Sequence, residues 1–167
     1  MKIELKNVKH AAFASTDSEC FEASLYIDGK RAGTVSDDGH GGSMMFSDRA
    51  TQERLDAYGA TLPPSPLEGM TEADGSPATI QPDAEILVGD ALNAYLLARD
   101  LRKQLKSRVV FVKDGGLSAF GPFTPANLAQ SLGAGRAALL ARIGTNAATV
   151  LNLMDEPAAL AAYKEFG

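Results

Sequence analysis

Apolar residues recur along this chain with two periods. In "KIELKNVKH", Ile3 and Leu5 alternate with Lys2 and Glu4, the period of a half-buried strand, and Asn7 interrupts the run as a kink or bulge. In "CFEASLYIDGKRAGTV", Phe21, Ala23, Leu25 and Ile27 share one face. Asp28-Gly29 then marks a tight turn, because glycine accepts the positive φ such turns demand. The register of this hairpin stays open. A two-residue turn sets Leu25 opposite Ala32 and sends Val35 to the other face, whereas a three-residue turn sets Ala23 opposite Val35. The glycines of "SDDGHGG" end the second strand.

The helical period takes over in "SDRATQERLDAYGATLPP", with Ser47 as the expected N-cap, Asp48 complementing the dipole, and Gly59 with Pro63-Pro64 as the stop. Residues 62–82 hold five of the eight prolines and no period, which reads as a long loop or linker. From 83 to 106, Leu87, Ala91, Ala94, Ala98, Leu101 and Leu105 form a stripe widened by Val88, Leu92 and Tyr95. This predicts one long helix, acidic at its start and basic at its end. "RVVFVKDGGLSAF" predicts a second hairpin around Asp114-Gly115-Gly116. "TPANLAQSLG" predicts a short helix capped by Thr124, with Pro125 at N1 and Gly133 at its end. "GRAALLARIG" predicts another helix, "ATVLNL" a short strand, and "DEPAALAAYKEFG" a terminal helix capped by Asp155.

Strands arrive as hairpins, without strand–helix–strand alternation, so the expected class is α+β. The expected architecture is two β-hairpins forming a mainly antiparallel sheet against one long helix, with several short helices. The expected organisation is an N-terminal hairpin and surface helix (1–61), a proline-rich loop (62–82), and a long helix with second hairpin and C-terminal helices (83–167), together one domain. At 167 residues the chain can bury about 70% of its unfolded surface without staples.

Composition narrows the setting. No run of 18 apolar residues predicts a membrane span, and "MKIELKNVKH" lacks the apolar core of a secretory signal. Cys20 is the single cysteine, which excludes an intrachain disulfide and multi-thiolate zinc sites and fits a cytoplasmic protein. Charge is uneven. Between residues 37 and 74 eight carboxylates (Asp37, Asp38, Asp48, Glu53, Asp56, Glu68, Glu72, Asp74) face two arginines (Arg49, Arg54), a balance of −6 within a chain of net −5. That segment repels phosphates and attracts basic partner surfaces.

Three constellations bear on chemistry. Asp37, Asp38 and His40 in "DDGHGG" offer oxygen and imidazole ligands, and glycines that could wrap an ion or a phosphate. The spacing matches neither an EF-hand, a P-loop nor a dinucleotide fingerprint. The alternative is a polar turn in which an aspartate accepts local N–H groups and the glycines adopt left-handed geometry. Cys20 with His10 or His40 could form a nucleophilic pair, but Glu19 beside the thiol disfavours its thiolate. Arg99, Arg102, Lys103 and Lys106 share one helix face and could bind phosphates; equally, they suit a solvated helix end.

The segments "LKNVKHAAFAS", "CFEASLYIDGKRAGTVSDDGHGG", "YLLARDLRKQL", "RVVFVKDG" and "TVLNL" together resemble a largely uncharacterised family of small soluble proteins encoded by phages, prophages and other mobile elements of proteobacteria. The resemblance implies a protein acting in the cytoplasm of an element-bearing bacterium and carries over no catalytic residue. Accessory proteins of such elements often block host factors, including CRISPR–Cas and restriction systems. The leading expectation is a non-enzymatic protein that binds a basic host or phage protein surface through Asp37, Asp38, His40, Asp48 and Glu53, with no cofactor. One alternative is a metal-dependent hydrolase or nucleotide-binding enzyme at Asp37, Asp38 and His40. The other is a nucleic-acid binder using Arg99, Arg102, Lys103 and Lys106.

Overall fold

In the computed structural model, which describes residues 1–166 apart from the side chain of Glu68, the first hairpin combines the two-residue turn of one register with the Ala23–Val35 pairing of the other, and Leu25 does not meet Ala32. Strands β2 (Phe21–Ile27) and β3 (Lys30–Asp37) meet in a two-residue turn, with Ile27 opposite Lys30. Asp28 (φ 49°) and Gly29 (φ 79°) are both left-handed, the geometry whose twist matches a hairpin. The register then shifts between Tyr26 and Leu25, so that Leu25 faces Gly33 and Ala23 faces Val35. Ala32 is the extra residue of this β-bulge. Without it Val35 would face away from the core; with it, Ala23 and Val35 are 2% and 1% exposed.

Strand β1 (Ile3–His10) pairs antiparallel with β2, with an irregularity between Lys6 and Lys9 where Asn7 has φ 53°. A two-residue strand, β4 (Met45–Phe46), closes the order β1-β2-β3-β4. The chain forms two compact units, Met1–Asn93 and Ala94–Gly167. In the first, the buried side chains come from this sheet (Leu5, Phe21, Ala23, Leu25, Ile27, Val35), from Leu55 of helix α1 (Arg49–Gly59), and from Ala84, Val88 and Leu92 of helix α2 (Ala84–Leu105).

The N-cap of α1 is Asp48 rather than Ser47. Asp48 accepts from the Thr51 N–H (3.0 Å), while the Ser47 hydroxyl accepts from the Thr34 N–H (2.8 Å) and so ties the helix entry to β3. The proline-rich stretch, expected as a loop, contains a second ladder. Strands β5 (Ser65–Thr71) and β6 (Pro77–Ile80) pair antiparallel around a turn in which Asp74 accepts from the Ser76 N–H. Prolines are tolerated because each strand of a two-stranded ladder is an edge.

In the second unit, β7 (Val109–Lys113) and β8 (Gly116–Phe120) form a hairpin across the left-handed pair Asp114 and Gly115. Strand β7 is buried on both faces. Val109 and Phe111 join Leu128 of α3 (Pro125–Leu132), Leu139 and Ile143 of α4 (Arg136–Ile143) and Val150; Val110 joins Leu101, Leu151, and Ala159 and Tyr163 of α5 (Glu156–Phe166). The expected strand at 148–153 is instead two 3-10 turns, Ala147–Thr149 and Leu151–Leu153, with a single bridge from Val150 to Phe111. The Asn152 side chain takes the Val110 N–H (2.8 Å), removing the donor a paired strand would use. Thr124 and Asp155 cap α3 and α5 as their positions predict. The class is α+β, with one long helix and antiparallel strands divided among three sheets.

Candidate functional site

The "SDDGHGG" stretch leaves the sheet at the end of β3. Asp37 lies two residues beyond buried Val35, so the strand period turns it inward, and it is 7% exposed. Its Oδ1 accepts from the Ser18 hydroxyl (2.8 Å) and from the Gly39 N–H (2.8 Å). Ser18 Oγ in turn accepts from the Gly41 N–H (3.1 Å). The Gly39 carbonyl receives the Thr16 hydroxyl (2.6 Å) and the N–H groups of Thr16 (2.9 Å) and Asp17 (3.1 Å). Gly39 has φ 87°, and a Cβ there would stand 2.3 Å from the Ala14 carbonyl oxygen. Only glycine lets the two loops approach this closely while holding a left-handed backbone.

Asp38 and His40 lie on the outer side of this bolt, both exposed. Asp38 Oδ1 accepts from the His40 N–H (3.1 Å). The Thr16 hydroxyl donates to the Gly39 carbonyl and also lies 3.2 Å from His40 Nδ1, a contact that holds the imidazole against the loop. A groove of about 430 Å³ runs beside the loop, lined by His10, Cys20, Phe21, Asp37, Asp38 and Met45, among others. His10 Nε2 donates to Glu19 (2.5 Å), so that contact orients the imidazole. Met45 is 73% exposed, and Phe13, two residues beyond the groove residue Ala11, is 94% exposed.

The five residues expected to meet a partner therefore separate. Asp37 is drawn inward by the strand period and its two donors and meets solvent only along the groove. Asp48 is occupied as the α1 cap, and the Thr51 hydroxyl followed by the Thr51 N–H holds its carboxyl below the usual carboxylate range. Glu53 pairs with Arg49 one turn away (2.8 Å). Asp38 and His40 remain outward on the loop. Among the described residues, no group of three or more His, Cys, Asp or Glu side chains is placed to hold a metal ion, so Asp37, Asp38 and His40 do not converge on one point.

The basic row on α2 also separates. Arg99, Arg102, Lys103 and Lys106 are all exposed. Arg102 Nε donates to Glu156 Oε1 (2.8 Å), while Arg99 and Lys103 add positive field at Asp100. Asp100 accepts from the Tyr163 hydroxyl, the main cause that holds its carboxyl below the ordinary range. Burial, and then the Asp100 contact, push the Tyr163 phenol up. A further cleft, of about 400 Å³, joins Asp28 of the turn and Lys30 and Arg31 of β3 to Arg54 of α1, which pairs with Asp28 (3.7 Å); it escapes a linear reading because Arg54 is 23 or more positions from the others.

No helix among the described residues is long and apolar enough to cross a membrane. Comparison with protein-family models, with curated proteins and with solved structures finds no match.

Proposed function

We propose that this chain is a non-catalytic binding protein of a phage or other mobile element, presenting the loop after β3 to a host macromolecule with a basic surface. One observation carries the reading. The first carboxylate of "DDGHGG" is buried and accepts both the Ser18 hydroxyl and the Gly39 N–H on one oxygen, so it fixes shape, while Asp38, His40 and Met45 are exposed on a braced backbone. A pre-organised loop with an exposed apolar anchor and charged neighbours is the form that binding surfaces take. The mobile-element context is supported by the resemblance of the hairpin and its glycine-rich exit. It points to a partner in the bacterial cytoplasm whose basic surface normally holds nucleic acid, such as a CRISPR–Cas effector.

The test is comparative capture from a bacterial host extract, with Asp38→Lys/Met45→Glu beside the unaltered chain and an Arg136→Glu control. The expected result is a partner retained by the unaltered chain and the control, lost by the double variant, and released by salt. Identical recovery with all three baits rules out the loop as the docking element.

A further inference from the structure

We infer that the second unit carries a binding groove for a single-chain anionic amphiphile, a carboxylate on an apolar tail, between the last turns of α2 and the start of α5. This stands apart from the loop proposed above and involves none of its residues. The groove measures about 410 Å³, within the size range of small-molecule sites. Its wall is apolar: Leu101, Leu105, Leu151, Met154 and Ala159. Leu101, Leu151 and Ala159 are 1–2% exposed, so this part belongs to the packed core. Asn152 fixes the adjoining backbone, donating to the Arg108 carbonyl (2.9 Å) and accepting from the Val110 N–H (2.8 Å). Its amide is thereby committed, and the polar handles left at the rim are Arg102, Lys106 and Glu156.

Charge complementarity selects the occupant. Arg102 lies in the last turn of α2 and Lys106 one residue beyond its end, and both line the groove. Arg102 already holds one carboxylate, that of Glu156, so the rim is demonstrably shaped for that group. Both partners of this pair are 59% exposed, and an ion pair so exposed is weak enough to exchange for an external carboxylate. Among the described residues Lys106 has no ion-pair partner within 4.0 Å and supplies a second cation. An anionic head on this rim would leave its tail along the half-buried Leu105 and Met154, over a floor of Leu101, Leu151 and Ala159.

Titration calorimetry on the full chain with decanoate, octanoate and decanol tests this. Decanoate is expected to bind, with affinity falling about fourfold for each methylene removed. Decanol, lacking the charge, is expected to bind about tenfold more weakly or worse. Arg102→Gln/Lys106→Gln is expected to weaken decanoate about tenfold, and Glu156→Gln to tighten it about threefold by freeing Arg102. Circular dichroism checks the fold of each variant, and the ligand series on the unaltered chain decides the matter should a variant unfold. The inference is overturned by any of four results: no decanoate binding at millimolar concentration, decanol binding equal to decanoate, unaltered affinity in a folded double variant, or binding of an acidic leucine-bearing peptide where decanoate fails.

Discussion

As charge patterns, the acidic loop after β3 and the basic row on α2 are alike, yet they are built in opposite senses. In the loop the most prominent charge, Asp37, points inward and holds two segments together through Ser18 and Gly39. Near the end of α2 the charges are exposed, and Arg102, at the rim of an apolar groove, is held by a surface carboxylate. The difference teaches that a charged residue's position within the strand or helix period, more than the density of charge around it, decides whether it braces the fold or meets a ligand. An inward carboxylate with two donors resists substitution; an outward cation is free to exchange partners.

The contrast is tested most severely at Gly39. Replacing it with alanine combines left-handed strain with a backbone clash and is expected to cost about 2–5 kcal/mol in urea unfolding. Gly42→Ala, with open space around its Cβ position, is expected to stay within about 0.5 kcal/mol. Equal effects would mean the loop is not bolted at Gly39.

Next in size is Asp37→Ala, which strands two donors and is expected to cost about 2–3 kcal/mol, against a near-neutral Asp38→Ala. Similar losses for both would erase the distinction between inward and outward carboxylates.

The smallest effect concerns Asp100 and Tyr163, an intermediate case. The Asp100 carboxyl is lowered, so its contribution is present above the ordinary value of 3.8 and fades as pH falls through the lowered one. The Tyr163 phenol is raised, so its contribution is present below the ordinary 10.0 and fades as pH rises through the raised one. Tyr163→Phe is expected to give a constant difference in urea midpoint between about pH 5 and 9, narrowing on both sides. Solvent screening keeps the amplitude small. Parallel curves across the whole range would show that the hydroxyl contact does not form in solution.

Much of the fold was legible because local chemistry and the final structure agree. The Asp-Gly turns, the caps at Thr124 and Asp155, and the extent of α2 all follow from backbone preferences that tertiary contacts leave alone. Elsewhere long-range partners decide. Ser47 and Asp48 are equally good caps in isolation, and the N–H of Thr34 on a neighbouring strand assigns Ser47 another role. The single stripe on α2 divides because the helix serves two units. In the first, the buried row is Ala84, Val88 and Leu92; in the second it is Leu101, with Leu97 and Leu105 half-buried, while Ala94 is exposed. The 3-10 turns around Val150 depend on Asn152, 42 positions from the N–H it occupies. Asp37 was within reach of a period-two reading from Val35, but only once the bulge had fixed which face Val35 occupies.

That bulge has a consequence for how the hairpin can vary over time. Turn length and strand parity are linked through Ala32, so a shortened or lengthened connection at Asp28-Gly29 is tolerable only when a compensating indel restores the phase. Homologous hairpins with a different turn would then carry paired length changes, and a lone one would invert every side chain from Gly33 to Asp37.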